Sequence, residues 1–95
     1  MNTEVKSMKL KYDFAVREIA GDFVIIPLGE AALKFGGMIV TSEAGALLVN
    51  ALKEEVTREA LAALLMNEYE VDEATANADL EEFLDQLNGL QLLSE

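Results

Sequence analysis

The apolar residues of this chain change period at Thr41. On its C-terminal side they recur every three to four positions: Ala44, Leu47, Leu48, Ala51 and Leu52, then Leu61, Leu64 and Leu65, then Ala76, Leu80, Phe83, Leu84 and Leu87. On its N-terminal side they form short runs: Phe14, Val16 and Ile19, then Phe23-Val24-Ile25-Ile26, then Met38-Ile39-Val40. A period near two belongs to strands and a period of 3.6 to helices. A chain in this order makes its sheet first and its helices afterwards. Gly36-Gly37-Met38-Ile39-Val40-Thr41 reads as the last strand, opened by glycines and closed by the helix start Thr41-Ser42-Glu43. A strand that comes last can be a sheet edge, whose unpaired N–H and C=O groups are either covered or used to dock another peptide.

Turn and cap residues place the other boundaries. Ala20-Gly21-Asp22 supplies turn chemistry between the first two strands, which form a β-hairpin, and Pro27 ends the second because it cannot donate a ladder hydrogen bond. Residues 28–35 read as a loop leading to the third strand. Ser42 or Thr41 caps a helix over 43–53, Thr57 one ending near Tyr69, and Asp72 a third and longest one stopped by Asn88-Gly89. Leu90, Leu92 and Leu93 are expected to fold back on the core. Residues 1–11 are polar and expected to be a flexible N-terminus, leaving 12–95 as a single domain. The fold class is α+β, a three-stranded antiparallel sheet followed by three helices.

Composition narrows function by exclusion. The 95 residues, 52% hydrophobic, suffice for one compact core. Cysteine and histidine are both absent, which removes disulfides, thiol nucleophiles, the commonest general base and the commonest nitrogen metal ligand. With no apolar run long enough for a membrane span and no signal-peptide core, the expected location is the cytoplasm. Eighteen acidic residues against seven basic ones give a net charge of −11, and from Glu59 to Glu95 there are ten carboxylates and no basic side chain. Such a surface repels phosphate backbones. Nucleic acid is therefore not an expected partner; the acidic faces either keep a small protein soluble or meet a basic partner surface. The glycines match neither a P-loop nor a dinucleotide fingerprint, and no EF-hand loop pattern occurs. A carrier protein would need an exposed serine in an Asp-Ser-Leu setting, but Ser42 stands in Thr41-Ser42-Glu43-Ala44, a plain helix cap. No enzyme, metal site or cofactor is expected.

The segments Met38-Ile39-Val40-Thr41-Ser42-Glu43-Ala44-Gly45-Ala46, Thr57-Arg58-Glu59-Ala60-Leu61, Tyr69-Glu70-Val71-Asp72 and Asp79-Leu80-Glu81-Glu82-Phe83-Leu84-Asp85-Gln86-Leu87 together resemble the PqqD family. Those proteins are peptide-recognition elements of pathways that make ribosomally synthesised, post-translationally modified peptides. The resemblance spans roughly residues 12 to 93. It departs from the family at Val40-Thr41, where Leu-Asn is common, at Leu48 or Val49, where the first helix often carries an aromatic, and at Lys53-Glu54-Glu55, where a glycine often follows that helix. It implies a winged helix-turn-helix-like fold and a non-catalytic peptide chaperone. Such a protein binds the leader peptide of a precursor as an added antiparallel strand and presents it to a modifying enzyme, such as a radical SAM protein. Carried onto this chain, the strand contacts fall on Gly37, Met38, Ile39, Val40 and Thr41, and the helix wall on Ala76, Asp79, Leu80, Phe83 and Gln86. The alternatives are a winged-helix transcriptional regulator, disfavoured by the scarcity of Lys and Arg on its helices, or another acidic protein–protein adaptor.

Overall fold

The computed structural model describes residues 7–94; the part of the expected flexible terminus that covers residues 1–6 lies outside the described residues. Chain order is β1 (Ser7–Leu10), β2 (Phe14–Ile19), β3 (Asp22–Pro27), α1 (Glu30–Lys34), β4 (Ile39–Thr41), α2 (Glu43–Ala51), β5 (Val56–Thr57), α3 (Arg58–Tyr69), α4 (Glu73–Gly89) and β6 (Leu93–Ser94). The result is a mixed α+β fold whose strands pair antiparallel in two three-stranded sheets, ordered β2-β3-β4 and β5-β1-β6. Two expectations need correcting. Among the described residues a single sheet followed by three helices becomes two sheets and four helices, and Ser7–Leu10, expected to be part of a flexible terminus, form the strand β1.

The first sheet is built on the hairpin. Ala20 and Gly21 both take positive φ (52° and 86°), as a two-residue primed turn requires to match the twist of its flanking strands. This turn sets the register from Ile19↔Asp22 to Phe14↔Pro27. Residues 28–35 are not a loop throughout, since Glu30–Lys34 form α1. Gly29 supplies the positive φ (56°) that turns the chain into it, and Ala31 is fully buried. Phe35, which closes α1, meets the Tyr12 ring edge-on at 5.7 Å.

The second sheet works as a seam. β1 is its central strand, with Met8 paired to Val56 before α3 and Leu10 paired to Leu93 after α4. The Leu10 N–H also donates to the Leu52 C=O, and the Lys11 N–H to the Leu92 C=O. One short strand therefore ties together segments that bracket the helical half. Met8 and Leu10 point inward at 7% and 6% exposure, while Lys9 faces solvent.

The three longer helices begin at the expected caps. Ser42, Thr57 and Asp72 accept hydrogen bonds from the N–H groups of Gly45, Ala60 and Thr75 at 3.0, 3.0 and 2.8 Å. The Thr75 hydrogen bond holds the Asp72 carboxyl below the ordinary aspartate range. This cap is thus fully formed above that range and is lost as pH falls through the depressed value. Leu52, Leu61, Leu80 and Val49 are the largest fully buried side chains. Among the described residues the core contains no buried polar or charged side chain, and no helix is long and apolar enough to cross a membrane.

Leu90 departs from expectation. It is 49% exposed while Leu92 and Leu93 are buried. Gln91 takes the left-handed conformation (φ 59°), and the Leu92 N–H donates back to the Leu87 C=O at 3.0 Å. This reversal swings Leu92 and Leu93 inward and leaves Leu90 at the surface beside the end of α4.

Candidate functional site

The free edge of β4 can be assigned residue by residue. Pro27, paired with Phe14, has no N–H to give, and just beyond that pair the Leu28 N–H donates to the Asp13 C=O at 2.9 Å. Phe14↔Pro27 is therefore a non-hydrogen-bonded pair. By alternation, Arg17↔Val24 exchanges bonds within the hairpin, and Phe23 and Ile25 turn their backbone groups toward β4. Their partners there are Thr41 and Ile39. Those two residues are tied to β3, and Val40 between them directs its N–H and C=O away from the sheet. Among the described residues β4 has no second strand neighbour.

Beside this edge lies a cleft of about 100 Å³. Ile39, Val40 and Thr41 form one side, and Phe83, Gln86, Leu87 and Leu90 of the α4 end form the other. Its floor is core, including Phe14, Ile25 and Val49. The lining is apolar apart from Thr41 and Gln86, and it includes two residues with exposed side chains, Val40 (70%) and Leu90 (49%).

A second, larger hollow of about 460 Å³ continues along α4. It is bounded by Ser42, Ala44, Gly45 and Leu48 of the α2 start, by Leu65 and Tyr69 of α3, by Val71, and by Asp79, Glu82, Phe83 and Gln86 of α4. Phe83 and Gln86 line both spaces and form the divide between them. At the lip of the hollow the Tyr69 hydroxyl donates to Glu43 Oε1 at 3.1 Å. Desolvation holds the Tyr69 phenol above its usual value, with further contributions from this hydrogen bond and from the negative charges of Glu43 and Glu68.

The residues expected to bind peptide thus separate into three groups. Ile39, Val40 and Thr41 come together with Phe83 and Gln86 around the cleft, and Asp79 joins the latter two at the hollow. Gly37 and Met38 precede the strand and are exposed, Met38 at 61%, with Gly37 at φ 117° where the backbone turns into β4. Ala76 and Leu80 need correcting. Both have 0% exposure, so their side chains offer a partner no surface and belong to the packing between α4 and the rest of the core. Sequence reasoning missed Leu87 and Leu90. Leu87 lay within the recognised stripe, but the position of Leu90 depends on the left-handed turn at Gln91, which no local pattern in the sequence marks.

Among the described residues no group of three or more metal-ligating side chains assembles. What the arrangement offers is main-chain hydrogen bonding beside apolar and acidic surface.

The profile of the family described as Coenzyme PQQ synthesis protein D (PqqD) matches residues 16–93, which takes in β4, the whole of α4 and the lining of both spaces apart from Leu10 and Phe14 of the cleft. No curated protein and no solved structure matches the chain. Since the matched stretch covers most of the chain, the protein belongs to the PqqD family, associated with coenzyme PQQ synthesis and the biosynthesis of modified ribosomal peptides.

Proposed function

We propose that the protein is a non-catalytic module that binds the leader segment of a ribosomal precursor peptide by strand addition at β4 and presents it to a modifying enzyme, such as a radical SAM protein. The observation that carries this reading is the outward-facing N–H and C=O of Val40, set beside a cleft whose opposite wall is Phe83, Gln86, Leu87 and Leu90. In this reading the β2-β3-β4 sheet and the three longer helices correspond to a winged helix-turn-helix whose sheet edge has become a peptide site. DNA recognition finds no support in α4, which carries Asp79, Glu81, Glu82 and Asp85 and neither Lys nor Arg.

The edge is short, and this sets the balance of forces. Val40, and Met38 if the alternation continues one step outward, offer up to four main-chain bonds worth about 0.5–1.5 kcal/mol each. Ordering the peptide costs about 1–2 kcal/mol per residue in backbone entropy. Main-chain pairing alone therefore roughly breaks even. Affinity must come from side chains entering the cleft, where apolar burial contributes about 25 cal/mol per Å².

The test is to titrate the protein with the leader peptide of the precursor encoded beside it and follow backbone NMR signals. Shifts are expected at Met38–Thr41 and along Phe83–Leu90. Val40→Pro removes only an outward N–H, so the variant should stay folded and lose about threefold to tenfold in affinity. Ile39→Pro removes a bond to Ile25 and should unfold the sheet. Shifts confined to the β2–β3 hairpin, or wild-type affinity in folded Val40→Pro, would refute strand addition.

A further inference from the structure

We propose that the hollow between α2, α3 and α4 receives a lysine or arginine side chain of the same bound peptide, placed on the N-terminal side of the segment that pairs with β4. The inference rests on the strand-addition reading and specifies what the bound sequence must carry.

Continuity is the first ground. The hollow and the β4 cleft share Phe83 and Gln86, so a chain leaving the cleft past Thr41 passes directly over the hollow, whose rim begins at Ser42. Chain direction is the second. β4 runs from Ile39 to Thr41 toward that rim, and a strand paired antiparallel to it runs the other way. Ligand residues lying beyond Thr41 therefore precede the paired segment.

The lining chooses the side chain. Leu48, Leu65, Val71 and Phe83 give apolar walls, as a long aliphatic stem requires. Asp79 and Glu82 line the opening, Glu43 stands at its lip, and no basic residue lines the space. Arg58, the basic residue of α3, is engaged with Glu81 at 3.5 Å, and Glu81 is not among the lining residues. The Tyr69 and Phe83 rings also line the space, and aromatic rings attract a cation placed over their faces. An acidic ligand would meet three carboxylates here, and a purely apolar one would leave them without a counter-charge.

The experiment is a selection from a displayed library of random dodecapeptides against the intact wild-type protein and against the Asp79→Asn/Glu82→Gln variant. Backbone NMR of both proteins with the most enriched peptides then locates binding. Wild-type protein should enrich an alternating apolar segment preceded by Lys or Arg. Replacing that basic residue by Ala should weaken binding about threefold to fivefold, as expected for an exposed charge pair together with the lost packing of the side-chain stem. In the double variant the same replacement should have little effect, while shifts at Met38–Thr41 persist. Enriched peptides that shift β4 but carry no basic residue, or carry it only on the C-terminal side, overturn this inference and leave strand addition standing. Enriched peptides that never shift β4 overturn both. A concentration-dependent dimer that shields Val40 and Phe83 without peptide would assign the hollow to a second copy of this chain and also overturn it.

Discussion

Gly45 stands where β4, α2 and α4 meet. A Cβ built there would collide with Thr41 Oγ1 and lie 3.3 Å from Thr41 Cβ and 3.4 Å from Phe83 Cε1. Local propensity opposes a glycine in the first turn of α2, since alanine is better by about 1 kcal/mol in a helix interior. Packing overrides propensity here, because overfilling a tight site costs about 1–3 kcal/mol. Gly45→Ala is therefore expected to destabilise the protein by about 1 kcal/mol, the difference between those two effects. In a Thr41→Ala background, with the hydroxyl gone, the same substitution should be neutral or stabilising. Urea unfolding of the two single variants and the double variant measures the coupling. Strictly additive effects would show that Thr41 and Gly45 do not press on one another. A side chain at this position would also press toward Phe83, the divide between cleft and hollow.

Among the elements, β1 shows what was hidden in the sequence. Its period-two pattern has only two apolar members, Met8 and Leu10, set among Lys6, Lys9 and Lys11, and a strand that short gains its stability from partners far along the chain. β5 and β6 have two residues each and exist only as the other halves of those pairings. Leu10→Ala should cost about 2–4 kcal/mol, as for other buried leucines, whereas the exposed Lys9→Ala should stay within about 0.5 kcal/mol. Equal, small effects in chemical denaturation would mean that β1 is not the seam it forms here. The long helices were legible for the opposite reason. Ser42, Thr57 and Asp72 announce their starts through bonds made within a few residues, and stripes such as Leu80-Leu84-Leu87 repeat often enough to be read locally. The same stripe misled the site assignment. Periodicity placed Ala76, Leu80 and Phe83 on one face, but only packing decides which of them the core consumes, and it leaves Phe83 alone partly open. Likewise α1 is a single turn held by Ala31, a tertiary anchor rather than a repeating pattern.

At the scale of the whole molecule, charge dominates. The net charge is −11, and ten carboxylates after Arg58 have no basic residue among them. Within the described residues the one side-chain ion pair is Arg58–Glu81 at 3.5 Å, exposed on both sides, a type worth about 0–1 kcal/mol. Repulsions therefore outnumber attractions across α3 and α4. Screening lengths fall from about 30 Å at 0.01 M salt to about 8 Å at 0.15 M, which relieves the long-range repulsion. If that relief amounts to about 1 kcal/mol, the melting temperature should rise by about 4–8 °C over this range. Calorimetry in NaCl and KCl should give the same rise, since screening does not distinguish the two salts. The field that strains the folded chain also draws a basic peptide toward the hollow, so affinity for such a peptide should fall over the same interval. Stability and affinity are expected to move in opposite directions with salt. If they rise together, burial rather than charge controls both, and the carboxylates beside Phe83 are only a solvated face.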